Sequence, residues 1–387
     1  MTFRSPKVTL LVQRIGPYHH ARFQAACSGG ALTIIEFRVN SQVYAWDEIN
    51  DSSAYVRTRA DTPSQIIEQL ERFQPDVLVC VGYADHEIHH AMRWAAEKRV
   101  AMVVCSDSTA DDEPRAWWKE RLKREIVGLF SAGIVAGVRS ADYLVSLGLE
   151  RDRLFTAWDV VDNDYFAEAA GAGQKREPSS PYFLTVARFV RKKNLERLLR
   201  AYARYVSAAG DLAWPLVLSG DGELRPELAA QVEAAGLLNR VRFTGFAQYG
   251  QLPEHYAGAG AFILPSLSDQ WGLVVNEAMA SGLPVLVSER CGCAPDLVVD
   301  GENGFVFSPT DVSQMSTILS RMANLSAERR DRMGGRSREI ISRFNLEAFA
   351  RGLWQAAEKA VNVRKFPSRR GRAALAALLL GAKFRRR

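Results

Sequence analysis

The sequence predicts an α/β protein of two doubly wound domains of Rossmann type, and three observations predict it. Short apolar runs recur through both halves of the chain, separated by stretches of helical periodicity. The pattern is interrupted once, at 167–180, by AEAAGAGQKREPSS, whose small, polar and proline residues suit a linker. The 387 residues, 47% hydrophobic and 24% charged, are enough for two cores and unlike a disordered chain.

The elements follow in order. In the first domain, 1–166, apolar runs at 8–12, 32–35, 77–81, 100–105 and 134–136 read as buried parallel strands, with helices over 64–73 and 87–98. The second domain, 181–345, resumes with runs at 182–186, 216–219, 241–245, 262–264 and 285–287. A helix over 346–363 is expected to cross back to the first domain, and a basic tail fills 364–387. In such sheets ligands bind beyond the carboxyl ends of the strands, so the loops there carry the candidate residues.

The richest loop lies within 262–287, FILPSLSDQWGLVVNEAMASGLPVLV. Between its two strands, 273–280 lacks proline and glycine and reads as a helix opened by Gly272. The first backbone N–H groups of that helix, at Leu273 and Val274, have no intrahelical acceptor and attract a phosphate. Asp269 in the preceding loop and Glu277 one turn in can accept hydroxyl hydrogen bonds on either side of the anion. The same pattern also fits an ordinary strand, helix, strand unit with solvated acids. Upstream, Arg188 and Lys193 leave a strand five residues apart and can converge on one diphosphate, the guanidinium as a fork and the ammonium as a point charge. A solvated basic loop is the alternative, and Arg191 and Lys192 receive no role. Gly220, Asp221 and Gly222 form a tight turn after another strand.

The 262–287 segment resembles the signature of glycosyltransferase family 4, retaining enzymes of the GT-B fold, in which two Rossmann-like doubly wound domains face a central cleft. The family motif is Glu, seven residues, Glu. Here Asp269 is one methylene shorter and Trp271 stands where phenylalanine is common, while Glu277 fits unchanged. Arg188 and Lys193 resemble the family's cation pair, and 220–222 its GDG loop; 241–245 occupies the place of its base contacts. Asp107, after the 100–105 strand, stands where members carry a histidine or aspartate near the sugar; capping a following helix is its other reading. The resemblance implies transfer with retention and no stable glycosyl-enzyme, the leaving diphosphate taking the acceptor proton. Fixed cations then do the work of a divalent ion, so no metal or other cofactor is expected, and no Asp-x-Asp cluster is read as suited to one.

In the first domain, Gly16 allows close backbone approach to the donor, and His19 or His20 can contact acceptor or diphosphate. Paired histidines are also common as surface or capping residues. Five cysteines, including Cys291-Gly292-Cys293, form neither a zinc pattern nor a disulfide framework. The apolar run at 8–12 is too short for a secretory h-region, so a cytoplasmic location is expected.

Net charge is +6, and 364–387 holds nine Lys or Arg and no acid, leaving −3 without it. Its apolar centre, 373–382, is too short to span a bilayer but suits an anionic interface. Arg369, Arg370, Arg372, Lys383, Arg385, Arg386 and Arg387 are the expected membrane contacts, and Trp117 on a helix over 115–126 is a second. An apolar centre has no use on a phosphate backbone, so nucleic acid is not an expected partner. The expected function is transfer from a UDP-sugar or GDP-mannose to a lipid-linked or membrane-proximal saccharide, at the inner face of the cell membrane, in bacterial surface polysaccharide or glycolipid synthesis. A sugar-nucleotide epimerase and a non-catalytic sugar-nucleotide sensor at the membrane are the alternatives.

Overall fold

The computed structural model describes residues 5–37, 46, 49, 54–173, 181–363 and 368–385. It divides into two compact units, 1–160 with 346–387, and 161–345. In the first, β1 (Val8–Val12), β2 (Leu32–Glu36), β3 (Val56–Arg59), β4 (Val77–Val81), β5 (Ala101–Ser106), β6 (Ala132–Val135) and β7 (Leu154–Phe155) form one parallel sheet, ordered β3-β2-β1-β4-β5-β6-β7. The second holds β8 (Phe183–Val186), β9 (Leu216–Ser219), β10 (Val241–Gly245), β11 (Ala261–Leu264), β12 (Val285–Ser288) and β13 (Gly304–Phe307), ordered β10-β9-β8-β11-β12-β13.

Parallel sheets with helices on both faces need apolar residues on both sides of each central strand, and every residue of β1, β5, β11 and β12 is buried. The strand order reverses between β1 and β4, where Val8 stands beside both Leu32 and Val77, and again between β8 and β11. Loops leaving these pairs flank the switch points at which open α/β sheets bind ligands.

Three strands escaped the sequence reading. β3 is an edge of sequence VRTR with no buried residue, β7 has two residues, and β13 is a four-residue run, GFVF. None offers a long apolar run.

The 167–180 linker needs correction. Helix Asn163–Gly173 runs through its first half, and 174–180 lie outside the described residues. Phe166 is fully buried and meets Tyr249 and Tyr256 edge-on, while Asn163 donates to the carbonyls of Ile341 (3.0 Å) and Phe344 (3.2 Å). Alanines after these anchors continue the helix at little cost, and residues 161–166 accordingly belong to the second unit.

Helix Leu346–Val363 belongs to the first unit, against helix Pro17–Ala26 and strands β5 to β7. Trp354 Nε1 donates to the Ala26 carbonyl at 2.8 Å. The tail departs from an interfacial segment: Arg369–Arg385 is a helix packed on helices His86–Lys98 and Trp117–Val127. Leu375 and Leu379, at 1% and 6% exposure, join the first unit's core. Ala374, Leu375, Leu378 and Leu379 of the apolar centre thus cover protein. No helix among the described residues is long and apolar enough to cross a membrane.

Candidate functional site

In the second unit the loops after β8, β9 and β11 are laced together by backbone bonds. Asn194, fully buried with φ +60, donates from Nδ2 to the carbonyls of Pro265 (2.9 Å) and Pro309 (2.8 Å), and Leu267 N–H reaches the Lys192 carbonyl at 2.8 Å. The turn at 220–222 lies on 187–189. A Cβ on Gly220 would stand 1.8 Å from the Ala187 carbonyl oxygen, and φ +134 also requires glycine. Asp221 is exposed, its carboxylate accepting from the Gly222 N–H at 2.8 Å.

This lacing brings two expected residues together across the switch point. Lys193, at the end of the 3-10 turn Arg191–Lys193, places Nζ 2.5 Å from Asp269 Oδ2, with both side chains about 14% exposed. Ser266 Oγ donates to the same oxygen at 3.3 Å. Arg188 is half-buried and engaged, as is Asp107 in the first unit, where Asp159 is buried and engaged. Helix Leu273–Ala280 opens at Gly272, φ +107, with Leu273 and Val274 half-buried at its first turn.

Glu277 is not solvated. It has no exposed surface, and Tyr256 OH donates to its Oε2 at 2.6 Å. The ordinary-unit reading with solvated acids fails on this point. Burial, and then the Glu277 charge, push the Tyr249 phenol up. Trp271 is also buried, its Nε1 donating to Asn276 Oδ1 at 2.9 Å.

Sequence reasoning gave Cys291-Gly292-Cys293 no task; the structure gives its backbone one. Gly292 N–H donates to the Asp269 carbonyl at 2.8 Å and Cys293 N–H to that of Trp271 at 3.2 Å. A Cβ on Gly292 would fall 1.7 Å from the Gln270 carbonyl oxygen, so only glycine lets the segment hold the Asp269 loop. The signal in the sequence was a glycine between two residues that are buried.

The first unit arranges its residues differently. Gly16 caps helix Pro17–Ala26 with ordinary extended angles, and His19 Nδ1 accepts from its N–H at 3.4 Å. Burial and the neighbouring Arg22 charge lower the His19 pKa to about 3, so its ring is neutral at ordinary pH. His20 Nδ1 lies 3.0 Å from Tyr55 OH. Asp107 caps no helix, because the next one opens at Trp117 behind Ala116.

Arg22, which the sequence reading passed over, is the largest fully buried side chain. It donates to the carbonyls of Trp158 (2.6 Å) and Tyr18 (3.1 Å), lies 3.6 Å from Asp159 and sits over the Trp158 ring. Burial lowers its pKa, opposed by Asp159. Its signal was a cation on the face shared by His19 and Phe23.

Asp162-Asn163-Asp164 has Asp-x-Asp spacing after all. Asp162 Oδ1, however, accepts the Tyr165 N–H at 3.0 Å at the start of its helix, and Asn163 serves two carbonyls. Among the described residues no group of three His, Cys, Asp or Glu could hold a metal ion. Of the expected membrane contacts, Trp117 is 78% exposed and Arg369, Arg370 and Arg372 are exposed. Lys383 and Arg385 lie in the last helix, and Arg386 and Arg387 lie outside the described residues.

Residues 170–340 match the family model of glycosyl transferases group 1. Among curated proteins the chain is similar to sulfoquinovosyl transferase SQD2 of Arabidopsis thaliana, 31% identical over 53% of this chain and 40% of that protein. It is also 31% identical to D-inositol 3-phosphate glycosyltransferase of Corynebacterium kroppenstedtii, over 54% of this chain and 48% of that one. The chain thus spans about half the length of the curated relatives it matches. Among solved structures, Anabaena HepE in complex with UDP and glucose superposes with TM-score 0.71 at 16% identity, over 90% of this chain and 98% of that one. An α,α-trehalose-phosphate synthase from Burkholderia vietnamiensis gives TM-score 0.73 at 12% identity, over 91% and 99%. At such identities the likeness is one of fold. Residues 170–340 thus match the group 1 glycosyl transferases, and the two parallel Rossmann-like sheets have the fold of GT-B glycosyltransferases.

Proposed function

We propose that the protein is a retaining glycosyltransferase that moves a sugar from a nucleoside diphosphate donor, a UDP-sugar or GDP-mannose, to a saccharide acceptor. The observation that carries this reading is the Lys193 to Asp269 contact beside the opening of helix Leu273–Ala280. It places a cation, a hydroxyl acceptor and a phosphate-attracting helix start in one loop cluster. Relatives named as glycosyl and mannosyl transferases support the reaction class.

In this mechanism Lys193 exchanges Asp269 for the donor's β-phosphate. Asp269, released, accepts a sugar hydroxyl; Arg188 and the helix start share the remaining charge. As the sugar–phosphate bond breaks, negative charge builds on the leaving oxygen, and cations held there favour the transition state over the ground state. That oxygen then takes the acceptor's proton on the same face, so configuration is retained. No divalent ion is required in this scheme. Contact of Glu277 with a ribose hydroxyl requires its covering atoms to give way, which Glu277→Gln tests by keeping size while removing charge.

The finer reading places the acceptor at an anionic membrane. Helices Trp117–Val127 and Arg369–Arg385 pack together and carry exposed Trp117, Trp118, Arg369, Arg370 and Arg372, the aromatic and basic mixture that interfaces favour. A panel of UDP- and GDP-sugars with product analysis tests the activity. Anomeric inversion, epimerised donor without transfer, or binding without turnover would each overturn it. Equal co-sedimentation with neutral and anionic vesicles would remove the membrane component.

A further inference from the structure

A histidine pair in the first unit takes no part in that mechanism. Helix His86–Lys98 begins with His86-Glu87-Ile88-His89-His90 just beyond β4, one of the two strands at the first sheet's switch point. Residues four apart share a helix face. His86 Nε2 and His90 Nε2 are 3.2 Å apart with their rings nearly perpendicular, and both residues are half-buried. His89 turns away and bonds the Tyr83 carbonyl through Nε2 at 2.9 Å.

A late first-row ion sits about 2.0–2.1 Å from each imidazole nitrogen. Two such bonds to atoms 3.2 Å apart enclose an angle of about 100°, near tetrahedral. We propose that His86 and His90 form a binding site for a late first-row divalent cation such as Zn²⁺, with water completing its shell. Without the ion the same separation is an imidazole–imidazole hydrogen bond, one ring donating. Binding shifts the donating ring to its Nδ1–H tautomer, and no net proton leaves.

The spacing is that of the His-Glu-x-x-His helix of metallohydrolases, but the likeness stops at the two imidazoles. Glu87 is 5% exposed, and no three-residue ligand group exists among the described residues. The site is therefore one for exchangeable binding rather than hydrolysis. Helix Arg369–Arg385 packs on the same helix, so an ion fixing its first turns also steadies the support of that segment.

Isothermal titration of the untagged full chain with Zn²⁺ tests the site, with thermal melts as the second readout. One equivalent is expected to bind and raise the melting temperature, as any ligand preferring the folded state does. His86→Ala and His90→Ala should each weaken binding at least tenfold, and His86→Gln/His90→Gln should abolish both effects while circular dichroism shows a folded protein. His20→Ala should bind like the parent. Absence of saturable binding at millimolar Zn²⁺, or parental affinity in the folded double variant, would overturn the proposal.

Discussion

The two units solve one task, presenting polar groups beyond strand ends, in opposite ways. In the second, chemistry-bearing side chains from different elements meet each other: Lys193 with Asp269, and Tyr256 with Glu277. In the first they turn to the backbone: His19 accepts from Gly16 N–H, and Arg22 donates to the Trp158 and Tyr18 carbonyls. A side chain paired across elements can exchange its partner for a ligand, whereas one that satisfies buried backbone groups is bound up with the fold. The difference separates residues whose loss should be read in turnover from those whose loss should be read in stability.

The sharpest break is at Lys193. Lys193→Ala should lower kcat/KM by about two to four orders of magnitude, the cost of removing a transition-state charge stabiliser. Steady-state kinetics on a variant with parental circular dichroism checks it; near-parental turnover would remove the second unit's side of the contrast.

On the other side, Arg22→Met should cost about 3–5 kcal/mol of stability, because Asp159 loses its buried counter-charge. Denaturant unfolding measures this, and an unchanged midpoint would show that Arg22 is not a structural cation.

Truncation after Val363 comes next. It uncovers the sites of Leu375 and Leu379, at about 1.5–3 kcal/mol for each side chain withdrawn from burial. A lower melting temperature with donor affinity retained is expected; an unchanged melt would return the tail to the role of a detached anchor.

The last effect is in pH. The folded-state pKa of His19 is lowered to about 3 from 6.5, so the unfolded chain binds the extra proton between those values. Stability attached to neutral His19 is complete above about pH 6.5 and is lost as pH falls toward 3. His19→Asn should flatten the acid limb of a stability-against-pH curve in that window, and a parallel limb would show that the ring is not held neutral.

Legibility followed the same division. The loops at 188–193, 220–222 and 269–277 were readable because their spacing after apolar runs fixes which side chains leave the strand ends. Arg22 was not, since one cation in a helix shows its burial only when a distant Trp158 carbonyl arrives to accept from it. Glu277 was placed on the right helix but its burial was not legible, because Tyr256 comes from another element. The packing of the tail was not legible for a similar reason: an apolar stretch between basic clusters looks the same whether membrane or protein covers it.

By itself the sequence determined the α/β class, ten of the thirteen strands among the described residues and the loops that carry Arg188, Lys193 and Asp269, because period, length and turn residues are local properties. Only the tertiary structure decided that Lys193 closes on Asp269, that Gly292 backs the same loop, and that Leu375 and Leu379 cover a core. Those contacts join residues dozens to hundreds of positions apart, and burial is a property of the assembled neighbours rather than of the residue.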